Sequence, residues 1–354
     1  MFTGCGPKNN IPSDESAQYP ADQNVYVAGT QNVQSNTVAR LWKNGAIQNL
    51  AGSALRSSTT DSITGSVANS VFVSGNDVYV AGYVKGWNGG EYFRHARLWK
   101  NGLLQTLAAD TFSDEATSVF VSGSDVYVSG LRISPTGYIL KIWKNGVVET
   151  YPQIYGLQQL NSLFVSGGDV YVAGCVVNLS DPNFLQAKLW KNGVEEDLAT
   201  SPNNSSAKSV FISGSDVYVA GHDQNTQGNI TYAVLWKNGK KQIISDGTKD
   251  AKAYSVYVSG SDVYVAGDEE FSAKLWKNGT VQSIADDSKA MTYYSVWVSD
   301  NNDIYLAGYA EALDGIYGGL EVHYMQATLW KNGKILNLDI DKKSDSQAYS
   351  IFVK

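Results

Sequence analysis

Short apolar runs of valine, tyrosine and phenylalanine recur along this chain, each cut off by serine, glycine, asparagine or aspartate. The fullest example is "SVFVSGNDVYVAG" at 70–82, followed after a variable segment by "ARLWKNGLLQTL" at 96–107. Runs of strand-forming residues bounded by turn residues read as strands. The first two are separated by Ser-Gly-Asn-Asp and the last two by Asn-Gly. The latter is the strongest short hairpin signal, because a type I′ turn needs positive φ at both central residues. No helical period of useful length competes, so the chain is expected to be all β.

The unit repeats. "WKNG" stands at 42–45, 99–102, 143–146, 190–193, 236–239, 276–279 and 330–333, and equivalents of the 70–82 segment begin at Ser118, Ser162, Ser209, Ser255 and Ser295. The prolines 135, 152, 182 and 202 fall between strand segments, as they must if the strands are central ones. Seven four-stranded units of about 45 residues predict a β-propeller. The motif tryptophans are 57, 44, 47, 46, 40 and 54 residues apart. Such variation would break the stacking of a solenoid but leaves blades intact, because insertions project from their faces. Both faces of a blade are buried in a propeller, so the leucine and tryptophan of "LW" can pack against opposite neighbours. Trp42, Trp99, Trp143, Trp190, Trp236, Trp276 and Trp330 are therefore expected in the core.

The termini fit a closed ring. The first unit begins at "NVYVAG" (24–29) without its opening strand, and the missing piece stands at the other end as "SIFVK" (350–354). The C-terminal segment is expected to supply the innermost strand of the N-terminal blade, leaving no templating edge at the junction.

The pairing of "SVxVSGxDVYVAG" with "AxLWKNG" resembles a group of bacterial repeat proteins that includes predicted lipoproteins and secreted proteins of unassigned function. The resemblance spans residues 24–354. It implies a β-propeller and a cell-envelope setting, lipid-anchored or secreted, and carries over no catalytic residue.

Composition adds limits. A net charge of −7 argues against nucleic acid, which needs a concentrated basic surface. The lysines of the seven turns are read as solvated turn residues. Two cysteines make no disulfide framework and show no zinc spacing. Cys175 follows an apolar strand and reads as a small buried hydrophobe. Cys5, in "MFTGCG", fits the end of a lipoprotein signal and is the candidate lipid attachment site. Residues 1–23, with three of the seven prolines between 6 and 23, read as this lipoprotein-like start and a flexible tether; 24–354 is the propeller. No run of 18 apolar residues exists, so membrane contact is expected only through lipid. No cofactor or metal is expected, and the chain is read as a monomer.

Function must lie in what does not repeat. Strand direction alternates, so the two tight turns of each blade share one face, and every long insertion shares the other. Two insertions are aromatic-rich: "YVKGWNGGEYFRH" (83–95) and "YAEALDGIYGGLEVHYMQ" (309–326). They make Trp87, Tyr92, Tyr317 and Tyr324 candidate ligand contacts, bordering one cleft across the first blade. The residues before each innermost strand, Asn69, Thr117, Asn161, Lys208, Tyr254, Tyr294 and Tyr349, should rim the channel mouth. They differ from blade to blade while the next residue is always serine, the pattern of a tuned pocket; Tyr254, Tyr294 and Tyr349 join the candidate list. Catalysis has little support. His95, His222 and His323 lie in no metal or nucleophile motif, and Glu91, Glu269, Glu270, Asp314 and Glu321 are five acids on the loops of an acidic protein. The repeated aspartates (Asp77, Asp125, Asp169, Asp216, Asp262 and Asp303) read as turn residues rather than calcium ligands. The expected role is a binding propeller for a glycan or a protein, with a structural scaffold or a propeller lyase or glycosidase as alternatives.

Overall fold

The computed structural model describes residues 19–53, 61–107, 113–134, 137–149, 151–152, 154–178, 181–196, 198, 200, 203–284, 291–317, 320–336, 338 and 344–354. Among them are 28 strands and no helix, hence none that could cross a membrane. The strands form seven four-stranded antiparallel sheets, the blades of a seven-bladed β-propeller. Blade 2 shows the plan: an inner strand Asp61–Ser74, a second strand Asp77–Asn88, a third Glu91–Lys100 and an outer strand Leu103–Gln105. Outer strands are three residues long, four in blade 5, and so short an edge offers little to template pairing.

Blade 1 closes the ring as the repeat count requires. Its inner strand is Ser346–Val353, paired antiparallel with Val25–Val33 in the register Val25↔Val353 and Val27↔Ile351. The N–H groups of Asn24 and Lys354 each donate to the other residue's carbonyl, at 2.6 and 2.9 Å. Residues 19–23 are not detached: Tyr19 packs on the cluster between blades 7 and 1, and buried Gln23 accepts a 2.6 Å bond from the Tyr305 hydroxyl.

Seven apolar clusters fill the seven interfaces between blades. Leu98 joins the cluster toward blade 3 while Trp99 joins the one toward blade 1, and the same division holds for each "LW" pair. All seven motif tryptophans are 0–4% exposed. Truncating one such side chain costs about 3–5 kcal/mol, which is why the motif keeps it.

The rest of "WKNG" works on the tight-turn face. Its asparagine and glycine both take positive φ, as at Asn101 (53°) and Gly102 (78°), giving the expected turn. The asparagine then reaches back to the second strand. Asn101 Oδ1 accepts from Val78 N–H at 2.8 Å and Asn101 Nδ2 donates to Asp77 Oδ1 at 2.8 Å. Lys100 pairs with Asp77 Oδ2 at 2.7 Å and lies 5.4 Å from the Tyr79 ring centroid. Blades 3 to 7 repeat this clasp, with Lys–Asp distances of 2.6–2.9 Å. The turn lysines are solvated, as the sequence reading has it, but they are also paired: they and the "DVY" aspartate tie the outer hairpin to the second strand. In blade 4, Lys191 and Asn192 hold the Asp169 carboxyl below its ordinary range. Blade 1 has Asn24 where the others have aspartate, and its Lys43 keeps only the contact with Tyr26, at 5.5 Å.

Candidate functional site

Each inner strand carries a bulge opposite the glycine of its "VAG", "VSG" or, in blade 7, "LAG", and the bulged residues are Asn69, Thr117, Asn161, Lys208, Tyr254, Tyr294 and Tyr349. A bulge leaves one residue unpaired and re-aims its side chain. Here all seven turn into the channel mouth, as the constant-serine pattern anticipates. The opposing glycine is obligatory. A Cβ there would lie 1.9–2.1 Å from the carbonyl oxygen two residues before the bulged one, for example 2.0 Å from Lys252 O at Gly267.

The constant serine that follows the bulge has its own task. Ser70 Oγ accepts from Val119 N–H of the next blade, and the same bond runs through Ser118, Ser162, Ser209, Ser255, Ser295 and Ser350 at 3.1–3.2 Å. Ser350 adds to the closure made by the strand ladder: its oxygen accepts from the Val71 N–H of blade 2. Two residues further on stands an aromatic in every blade: Phe72, Phe120, Phe164, Phe211, Tyr257, Trp297 and Phe352. Their ring centroids are 4.1–5.0 Å apart around the complete circuit. This collar narrows the channel beneath the serines. The lower chamber, about 360 Å³, lies between collar and bulge residues, and an upper one of about 510 Å³ opens to the loop face. The seven bulge residues line both chambers, so the two make one funnel. Its size is that of a small-molecule site.

The funnel wall is braced. Asn69 Nδ2 donates to Ala116 O at 2.8 Å and Asn161 Nδ2 to Ala207 O at 2.7 Å, each spanning to the next blade. Tyr349 Oη lies 3.1 Å from Thr30 Oγ1, Tyr254 bonds to Asp268, and Tyr294 bonds to Tyr309. With their hydroxyls held at the periphery, the three rings form a contiguous aromatic wall, with centroids 5.3 Å apart for Tyr254–Tyr294 and 5.8 Å for Tyr294–Tyr349. Burial pushes all three phenols up, so they are neutral hydrogen-bonding groups. Burial also raises the Asp268 carboxyl, against the bonds from Thr292 and Tyr254 that favour its anion.

The hairpins above the funnel differ from the sequence reading. Segments 83–95 and 309–326 are not loops but continuations of the second and third strands of blades 2 and 7. Glu91 pairs with Asn88 around Gly89 and Gly90, and in blade 7 the ladder continues to Tyr317↔Leu320. The inner strand of blade 2 likewise begins at Asp61, nine residues before the "SVFVSG" segment that the sequence marks as its start. The "NGG" at 88–90 was the readable signal for this extension.

The candidate residues fall into three places. Tyr254, Tyr294 and Tyr349 meet in the funnel. Trp87 and Tyr92 form an edge-to-face pair, centroids 5.4 Å apart, exposed at the blade 2 tip. The Tyr92 hydroxyl accepts from Arg94 Nε at 3.3 Å, and Arg94, ion-paired with Glu115, lines the upper chamber, so this hairpin rises from the funnel lip. Tyr324 lines a separate depression with Phe271, Tyr309, His323 and Met325, and the Tyr309–Tyr294 contact joins it to the funnel. The Tyr317 side chain lies outside the described residues, as do Cys5 and the side chains of Asp314 and Glu321. No described pocket contains residues from both hairpin tips. Sequence reasoning missed the wall residues Tyr83, Arg94, Glu115 and Gln159, which sit on strands whose extension was not foreseen.

Among the described residues the acids and histidines do not converge. Glu269 pairs with Lys274 at 3.5 Å and Glu270 with Lys249 at 2.9 Å. His95 stacks on Phe93, and His323 Nδ1 lies 3.5 Å from Glu311. His222 Nδ1 is buried without a hydrogen-bond partner, and burial, then Lys208 and Lys252, lower its pKa to about 3. Among the described residues no group of three or more His, Cys, Asp and Glu side chains could hold a metal.

No family model and no curated protein matches the sequence. Among solved structures, the chain is similar to a Pyrococcus horikoshii acylaminoacyl peptidase at TM-score 0.50 and 14% identity, over 92% of this chain and 52% of that one. The chain thus spans about half the length of that peptidase. It also matches the β-propeller domain of the Trilobed protease from Pyrococcus furiosus, at TM-score 0.47 and 12% identity, over 79% of this chain and 83% of that one. At these identities the likeness concerns the fold.

Proposed function

We propose that this protein is a cell-envelope binding propeller that takes a sugar ring in its channel mouth. The observation that carries the reading is the funnel itself: seven bulges aim side chains of four kinds (asparagine, threonine, lysine and tyrosine) at one cavity, while the scaffold residues beside them repeat in every blade. Structural demands keep the serine, the glycine and the collar constant. They place no such demand on the bulge residue, whose side chain faces the cavity. A wall of three braced tyrosines opposite asparagine, threonine and lysine suits a ligand with an apolar face and polar edges, which describes a pyranose. Trp87 and Tyr92, above the lip, are positioned to meet a longer chain as it leaves the funnel. The envelope setting rests on "MFTGCG" and on the repeat motifs; lipid on Cys5 would anchor the propeller without a spanning segment.

The test is an array of glycans and envelope proteins probed with the full chain, followed by calorimetry on the ligands found. Tyr254→Ala and Tyr294→Ala should abolish binding, since a few aromatic anchors carry most of such an affinity. Trp87→Ala should weaken only longer oligosaccharides. Lys144→Ala and Lys191→Ala, on the opposite face, should leave binding intact. Binding that survives both tyrosine changes but is lost with the turn lysines would place recognition on the wrong face.

A further inference from the structure

The seven funnel residues are sorted around the ring. Asn69, Thr117, Asn161 and Lys208 come from the consecutive blades 2 to 5, and the three tyrosines from blades 6, 7 and 1. One wall is polar and the other aromatic, with Lys208 next to the boundary that Tyr254 begins.

The charges in the funnel are unequal in their commitments. Arg94 is neutralised by Glu115 and lies 5.7 Å from the Tyr83 ring centroid. Lys208 has no carboxylate partner among the described residues. Its Nζ donates to Gln159 Oε1 at 2.9 Å, which occupies one of three ammonium donors. Partial burial pushes its pKa down, and Lys252 adds to that effect. A half-buried cation held without a counter-charge is a standing cost that a bound anion would relieve. A cationic ligand, which three tyrosines could otherwise attract, would meet Lys208 as a like charge.

Resting on the reading of the funnel as a sugar site, we infer that its ligand is an acidic sugar, a pyranose whose C–H face lies on the Tyr254–Tyr294 wall and whose carboxylate is received by Lys208. The lower chamber, ringed by serine hydroxyls that accept from neighbouring backbone N–H groups and floored by aromatics, offers no cation besides Lys208. The carboxylate is therefore read at the rim, on the polar wall.

Two sources of such a ligand, hexuronates and sialates, share this chemistry and are separated by the probes. Calorimetry on the full chain would compare trigalacturonate with its methyl ester, and sialyllactose with lactose. At least one acid should bind ten-fold or more tightly than its neutral counterpart, and the pair that shows the difference identifies the source. Lys208→Met should remove the difference between the acid and its neutral counterpart, both measured on that variant, without lowering the melting temperature. Tyr254→Ala should abolish binding of both forms. Equal binding of acid and neutral forms, with Lys208→Met silent, would overturn the acid assignment and leave the sugar site standing. Failure of all four probes, with array binding indifferent to Tyr254→Ala, would overturn both.

Discussion

Replacing Gly267 by alanine tests the link between the repeat motif and the funnel. The new Cβ would lie 2.0 Å from Lys252 O and 3.0 Å from both the Lys252 carbonyl carbon and Ala253 Cα. Real Cβ contacts essentially never fall below 3.0 Å, so the two strands would have to part by about 1 Å. The obstacle is backbone and cannot rotate away. Overpacking of that kind costs about 3 kcal/mol at the upper end of its range, and losing one ladder hydrogen bond at the bulge adds about 1 kcal/mol. The expected loss is about 4 kcal/mol, read by urea unfolding. Gly260, in the tight turn of the same blade, provides the control. It has φ +58° with nothing within 4 Å of its would-be Cβ, so alanine there costs only the left-handed penalty, roughly 1–2 kcal/mol. Because the bulge sets the direction of Tyr254, Gly267→Ala should also weaken any funnel ligand, whereas Gly260→Ala should not. If both variants lost the same stability, or if Gly267→Ala bound normally, the close approach would not be what keeps glycine in every blade.

Deleting 350–354 removes the buried Ile351 and Val353 and the Ser350 bond to Val71; it should prevent cooperative folding, whereas deleting 1–18 should leave the melting temperature unchanged. His222 makes stability fall in acid. Its folded pKa near 3 lies below the ordinary 6.5, so the unfolded chain takes up the proton first and the contribution, intact above about pH 6.5, is lost as pH falls toward 3. That amounts to about 2 kcal/mol by pH 5, and His222→Gln should remove that part of the pH dependence in unfolding titrations. Asn192→Ala, which leaves Val170 N–H and Asp169 without their clasp, should cost about 1 kcal/mol by urea unfolding, and more than Lys191→Ala, whose ion pair is largely solvated. Expressed with an upstream secretion signal, the wild-type chain should fractionate with membranes and Cys5→Ser should be released as soluble protein.

The architecture was legible because each requirement of a blade leaves its mark in the sequence: Asn-Gly for two positive φ angles, tryptophan for the wedge between sheets, and a strand missing from the first unit but present at the C-terminus for closure. What repeats answers to local geometry and nearest-neighbour packing, and local rules can be read from one unit. Three matters needed the tertiary structure. The "DVY" aspartate looked like a turn residue and the constant serine carried no assigned role, yet their partners lie across the sheet and in the next blade, at separations no short window contains. The aromatic insertions looked like loops, because strand pairing beyond the blade depends on both halves of a hairpin being in register. The division of the funnel into a polar and a tyrosine wall is a property of ring order. Asn69 and Tyr349 are 280 positions apart in the chain and neighbours around the channel, and only closing the ring brings such residues to one cavity.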